Sequence, residues 1–296
     1  MKPKSFHRRG QRRYRVLLWV LAAGLLVVSL FLQQNVLLDT ASRHGILLDA
    51  QSGHVLAQKR ANEKVAPASL TKMMTVLLAV EAEPDLDQLV TLPEDIFPAL
   101  YAADASMAGF LPGETVTVRD LLYGAMLPSG AECCEALARQ VSGSEDAFVD
   151  LMNQKAAELG MENTHFTNPT GLTEAEHYST AADLAKLLQA ALHNETFRTI
   201  FTTEHYTSTA TEQHPEGVSF ASTLLSRLSG TELADGQILG GKTGYTSAAG
   251  LCLASLAVIK GREYILVTLG APGSHATEQF NIRDAIQVYT KLRNKK

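Results

Sequence analysis

Cysteine is scarce in this chain. The 296 residues include three (Cys133, Cys134 and Cys252), an odd number, and two of them are adjacent. Neighbouring cysteines rarely bridge each other, so no disulfide framework is implied and buried free thiols are expected. Basic charge is also in short supply. Once the seven lysines and arginines of the first fifteen residues are set aside, the net charge of −5 becomes −12 for the remainder. A nucleic-acid partner would want a basic face, so this balance excludes that class. No low-complexity tract and no repeat at a fixed period is present, and no Pro/Gly linker divides the chain. At 46% hydrophobic and 19% charged, the composition can supply one large core or two small ones.

Acidic residues are missing from the first fifteen positions, which carry Lys2, Lys4, Arg8, Arg9, Arg12, Arg13 and Arg15. Charge of any sign is then missing for seventeen residues, from Val16 to Leu32. A bilayer core needs about 20 helical residues and tolerates about 17, and basic residues keep their flank in the cytoplasm. The expectation is a basic cytoplasmic segment over 1–15, a single-pass transmembrane anchor over 16–34 and a spacer over 35–43, with everything beyond exported. A cleaved secretory signal is the alternative. Its apolar stretch would normally run about 7–15 residues to a small-residue site, and Phe31-Leu32-Gln33-Gln34-Asn35 offers none.

Beyond the spacer, His44–Asp49 and His54–Lys59 alternate about Gln51-Ser52-Gly53 and predict a hairpin. Leu70 to Val80 is too apolar and too long for a strand and reads as a buried helix that Ser69 opens. Thr115-Val116-Thr117-Val118 alternates as a strand. Helices are expected over Arg119–Met126, Glu132–Val141 and Asp146–Leu159, and from the Thr180–Asp183 capping box to Leu192. Ile238–Tyr245, Leu251–Ile259 and Glu263–Leu269 read as strands before a last helix that ends near Leu292. Strands near both ends and helices between them predict an α+β or multi-layer fold, one catalytic unit over 44–293 with its sheet assembled from distant parts of the chain.

Three short motifs carry chemistry. In Ser69-Leu70-Thr71-Lys72, residues three apart share a helix face, so the Lys72 amine reaches the Ser69 hydroxyl. Serine is a poor nucleophile until a base takes its proton, and lysine serves as that base only if burial or a second cation lowers its pKa. Ser129-Gly130-Ala131 is the second motif, and Ser129-x-x-Glu132 could equally be a capping box. Gly240-Gly241-Lys242-Thr243-Gly244 is the third, on a strand. Its glycines admit a close neighbour, and its lysine and hydroxyl suit a carboxylate. Each motif alone is weak. Together, in this order and 60 then 113 residues apart, they form the shared signature of class A β-lactamases and penicillin-binding proteins.

The flanks sharpen the match. Pro67-Ala-Ser-Leu-Thr-Lys-Met-Met-Thr75, Asn163 to Leu172, His177-Tyr-Ser-Thr-Ala-Ala-Asp183 and Gly241-Lys-Thr-Gly-Tyr-Thr-Ser-Ala-Ala-Gly250 resemble the low-molecular-mass D-alanyl-D-alanine carboxypeptidases, the S11 serine peptidases, over roughly residues 40–292. The resemblance implies a β-lactamase/transpeptidase-like fold, an antiparallel sheet flanked by helices, with the active site between it and a mainly helical subdomain. It implies Ser69 as nucleophile, Lys72 as general base and Ser129 as proton relay. Lys242, Thr243 and Gly244 would bind the substrate carboxylate, and the Ser69 and Tyr245 amides would form the oxyanion hole. The substrate would be peptidoglycan stem peptides ending in D-Ala-D-Ala, and β-lactams would trap the acyl-enzyme. No cofactor or metal is called for.

Two departures stand out. Where the family usually has asparagine, the middle motif has Ala131, which implies a slower or differently selective enzyme or, alternatively, an inactive peptidoglycan-binding homologue. Many members also carry a β-domain after the catalytic unit, and none is expected here. A β-lactamase is the nearest rival, but no Glu-x-x-x-Asn follows the middle motif. A zinc peptidase would use His177 and Asp183, yet the downstream Glu-x-x-His is missing.

Overall fold

The computed structural model describes Trp19, Leu37 and residues 39–83, 85–228, 233 and 235–293. The expected anchor over 16–34 lies outside the described residues apart from Trp19. No helix among the described residues is long and apolar enough to cross a membrane.

In chain order, β1 (His44–Asp49) and β2 (Val55–Lys59) form the expected hairpin, and a 3₁₀ turn over Ala68–Thr71 leads into α1 (Lys72–Ala82). After β3 (Leu89–Thr91), α2 (Phe97–Ala102) and β4 (Thr115–Thr117) come α3 (Val118–Met126), α4 (Ala131–Ser142) and α5 (Glu145–Glu158). Next are α6 (Ala181–Ala191), α7 (Glu195–Thr202), β5 (His205–Thr207) and β6 (Ser219–Ala221). The chain closes with β7 (Gly236–Thr246), β8 (Gly250–Ile259), β9 (Arg262–Ala271) and α8 (Phe280–Arg293).

Five strands form one antiparallel sheet in the order β2-β1-β9-β8-β7, so the first hairpin pairs with the last strands across more than 200 residues of chain. Interior strand β8 reads Leu-Cys-Leu-Ala-Ser-Leu-Ala-Val-Ile from Leu251 to Ile259, apolar on both faces because both are covered. Its period of two sends Leu253 and Ala257 toward α8, into a core with Leu47, Leu266 and Tyr289. Cys252, Ala254 and Leu256 face the helices of the larger core. At the centre of those helices lies α1, apolar around its whole circumference (Met73, Met74, Val76, Leu77) and accordingly buried.

The α+β expectation holds, as do the hairpin, the three C-terminal strands and the helices. Ser69 does not open the α-helix but sits in the 3₁₀ turn before it, with Lys72 as the first α-helical residue. The short elements β3, α2, α7, β5 and β6 had no counterpart in the sequence reading. Three of them are three-residue strands, too short for a periodicity to show.

Candidate active site

The turn that carries Ser69 is held between two glycine-bearing segments. Ala68 adopts φ +49, the left-handed region that a side chain rarely enters, and is buried. The 168–173 loop closes on it so tightly that a Cβ at Gly171 would lie 2.0 Å from the Ala68 carbonyl oxygen. From the other side comes β7, where a Cβ at Gly244 would lie 3.0 Å from the Ser69 nitrogen. Backbone from three distant parts of the chain thus meets at residues 68–69, which glycine alone permits.

Lys72 Nζ lies 3.2 Å from Ser69 Oγ and donates to the Thr170 carbonyl at 2.8 Å. Its side chain is 2% exposed, and burial holds its pKa below the usual lysine value against the opposing pull of Cys134 and Glu132. The Thr170 carbonyl is fixed by Asn168. Asn168 Oδ1 accepts from the Thr170 amide, the Thr170 hydroxyl and the Gly171 amide, and its Nδ2 donates to the Leu172 carbonyl and Glu174. Thr75 adds a 2.6 Å bond to the Pro169 carbonyl.

His177 closes the back of this loop. Its Nδ1 accepts from the Thr167 amide at 3.0 Å, which leaves Nε2 as the donor to Thr71 Oγ1 at 2.8 Å. Burial pushes its pKa down to about 4, so the ring is neutral at pH 7. Both nitrogens are committed, and Asp183 is spent on the Asn163 amide and the Thr164 hydroxyl, so the pair does not form the start of a zinc site.

Ser129 reaches the cleft in the left-handed conformation (φ +73), and its buried hydroxyl has no hydrogen-bond partner among the described residues. The capping box weighed for Ser129 and Glu132 does not form. Gly130 is the N-cap of α4, without a side-chain cap. Glu132 turns instead to the opposite wall, where its Oε1 accepts from the amides of Ala108 (2.6 Å) and Gly109 (2.9 Å). Its Oε2 is buried without a hydrogen-bond partner among the described residues, and desolvation raises the pKa of the carboxyl group. The Ala131 amide donates to the Ser106 carbonyl, so segment 106–109 is fastened to the start of α4 at both ends. Behind it, Cys133 and Cys134 are buried free thiols whose pKa values burial raises, Cys134 to about 12, which makes them core filling and not nucleophiles.

Two adjoining cavities meet at Ser69. One of about 420 Å³ is lined by Ser69, Lys72, Asp104, Ala131, Thr173 and Tyr245 among others. The second, about 60 Å³, has Ser69, Ser129, Thr243, Gly244, Tyr245 and Arg227 in its walls. The hydroxyls of Thr173 and Thr246 link opposite rims at 3.0 Å. Lys242 is the exception among the expected residues. It is fully buried on the face of β7 that Gly240 and Gly244 share, within the field of Lys72, lines neither cavity, and donates to the Thr243 carbonyl at 3.0 Å. Burial, and then the neighbouring charge of Lys72, hold its pKa well below the usual value.

The sequence reading missed Thr170, Asn168, Arg227 and the 103–106 wall. Thr170 acts through a main-chain carbonyl, which leaves no side-chain signature. Arg227 stands in a stretch where no motif was found.

A family model described as D-alanyl-D-alanine carboxypeptidase matches residues 32–273. The D-alanyl-D-alanine carboxypeptidase DacF of Bacillus subtilis is 39% identical over 236 residues, 78% of this chain and 57% of that protein. DacC of Escherichia coli is 39% identical over 197 residues, 62% of this chain and 49% of its own length. The chain therefore spans about half the length of these two relatives. The crystal structure of the Streptomyces K15 DD-transpeptidase superposes with a TM-score of 0.76 at 31% identity, covering 85% of this chain and 97% of that one. A D-alanyl-D-alanine carboxypeptidase from Mycobacterium tuberculosis gives 0.75 at 29% identity, with 87% and 93% covered.

Proposed function

Since the chain belongs to the D-alanyl-D-alanine carboxypeptidase family, we propose that it removes the terminal D-alanine from peptidoglycan stem peptides through an acyl-enzyme on Ser69. The observation that carries this reading is the 3.2 Å pair of Ser69 Oγ and the buried Lys72 amine.

The chemistry follows from the geometry. Burial lowers the Lys72 pKa and so favours its free amine over the ammonium, and that amine takes the Ser69 proton as the oxygen attacks the penultimate carbonyl. The tetrahedral oxyanion is met by the amides of Ser69 and Tyr245, donors that contribute about 3 kcal/mol each in such sites. The Ser129 hydroxyl, without a hydrogen-bond partner among the described residues, relays the proton taken up by Lys72 to the departing D-alanine nitrogen, which restores the Lys72 amine. The substrate carboxylate lies in the smaller cavity against Thr243 and Arg227, with Lys242 buried beside them on the same strand. Water then releases the shortened peptide, and β-lactams, which mimic the dipeptide, stall at the acyl stage.

Ala131 lines the larger cavity where the family usually presents an amide. Nucleophile, base and Gly244–Tyr245 edge are intact, which supports a slowed enzyme over an inactive binder. Residues 16–34, uncharged through Leu32 and preceded by seven basic side chains, are proposed to anchor the protein in the cell membrane, with residues 1–15 cytoplasmic and the catalytic unit over 44–293 outside. The test is labelling of the full chain with a fluorescent penicillin alongside D-alanine release from a pentapeptide. Both are expected with the native chain and neither with Ser69→Ala. Labelling that survives in Ser69→Ala would sink the assignment.

A further inference from the structure

Each cavity has a basic side chain in its wall, Lys72 in the larger and Arg227 in the smaller, and only the larger adds a carboxylate among the described residues. Arg227 is the one arginine lining the smaller, and Asp104 is the one carboxylate lining the larger. Ser69 belongs to both, so the carbon it attacks sits at their junction. With the C-terminal carboxylate of a peptide beside Arg227, the chain preceding the scissile bond runs into the larger cavity. An extended chain advances about 3.3 Å per residue, so the side chain before the two D-alanines falls within that space.

Asp104 is held there by an unusual choice of residue. It follows α2 at the position where the backbone turns left-handed (φ +49). Its amide donates to the Tyr101 carbonyl and the Ala105 amide to the Leu100 carbonyl, the paired bonds of a Schellman motif. Glycine is the residue that this position favours, because it enters the left-handed region without strain. Aspartate tolerates that region better than most residues, but its side chain closes no hydrogen bond of this turn. Its carboxylate is exposed and has no hydrogen-bond or ion-pair partner among the described residues. The wall that presents it is nonetheless firmly anchored, through the Ala131 amide on the Ser106 carbonyl and Glu132 on the Ala108 and Gly109 amides.

Resting on the function proposed above, we infer that Asp104 is a specificity-determining residue that selects acyl donors bearing a free side-chain amine, a diamino acid, immediately before D-Ala-D-Ala. The carboxylate pairs with the ammonium in the larger cavity while Arg227 and Thr243 take the terminal carboxylate in the smaller one. With alanine at 131, the recognition of the acyl side that an amide would provide falls to this charge.

The test uses the full chain in detergent and two peptides, L-Lys-D-Ala-D-Ala with its α-amine acetylated and the same peptide with both amines acetylated. The native chain is expected to favour the free amine by about 5-fold in kcat/KM at low salt, the scale of an exposed ion pair, and to lose that preference as ionic strength rises. Asp104→Gly and Asp104→Asn should bring the ratio to about 1 while leaving the doubly acetylated peptide and penicillin labelling unchanged. Asp104→Gly should also melt no lower than the native chain, because glycine suits the turn. Equal use of both peptides by the native chain, or a preference that survives in both variants, overturns the inference and leaves the D,D-peptidase reading standing. Absence of both D-alanine release and Ser69 labelling overturns the two together.

Discussion

The patch where β4 and α3 meet the β5–β6 hairpin and the cleft around Ser69 are built from the same materials, buried carboxylates and hydroxyls, and use them in opposite ways. In the patch, every bond is closed. Asp120 accepts from the Thr117 amide and hydroxyl on one oxygen and from the Tyr206 hydroxyl and the Thr209 amide on the other. Glu114 accepts from the Leu111 amide, Thr211 and His214. In the cleft, the Ser129 hydroxyl and one oxygen of Glu132 have no partner among the described residues, two lysines are buried within each other's field, and Ala68 and Ser129 stand in the left-handed region. Satisfied polar groups hold a fold together. Unsatisfied ones cost stability and persist where chemistry uses them.

The contrast breaks most visibly at Lys72. Lys72→Met removes the base and a buried cation at once, so Ser69 acylation should fall by about 10³-fold while the melting temperature holds or rises. A variant that loses both activity and stability would place Lys72 with the structural groups. Asp120→Ala should do the reverse. It strands four donors and should cost about 3 kcal/mol in denaturant unfolding, with kcat of the folded fraction unchanged.

Ala131→Asn sharpens the cleft side, since restoring one amide to its wall should raise acylation about 10-fold with little effect on stability. Glu135, one helical turn beyond Ala131, tests the contrast through pH. Burial raises its pKa from 4.5 to about 8, so between those values the unfolded chain ionises first and the native state loses stability as pH rises. Relative to the native chain, Glu135→Gln should gain stability between about pH 4.5 and pH 8 and show no further gain above. A pH-independent difference in chemical denaturation would exclude this origin.

The comparison also separates what could be read from residues from what could not. Ser69, Lys72, Ser129 and Thr243 were legible because their side chains react or bind and their types and spacings are restricted. The capping box at Thr117 and Asp120 was equally present, and the helix start was read only one residue late, at Arg119 instead of Val118. Ser129-x-x-Glu132 has the same local form and failed as a cap, because Glu132 found the amides of the 106–109 wall instead. No local rule distinguishes the two cases. The difference lies in what a distant segment offers.

The sequence by itself determined the longer elements and the inventory of reactive groups, since periodicity, caps and three-residue spacing are local properties written in neighbouring residues. The tertiary structure alone decided that Thr170 turns its carbonyl to Lys72, that Lys242 is buried outside both cavities, and that Asp104 and Arg227 line the cavities that meet at Ser69. Those outcomes depend on main-chain atoms and on packing between segments up to 170 residues apart, which side-chain order along the chain does not encode in readable form.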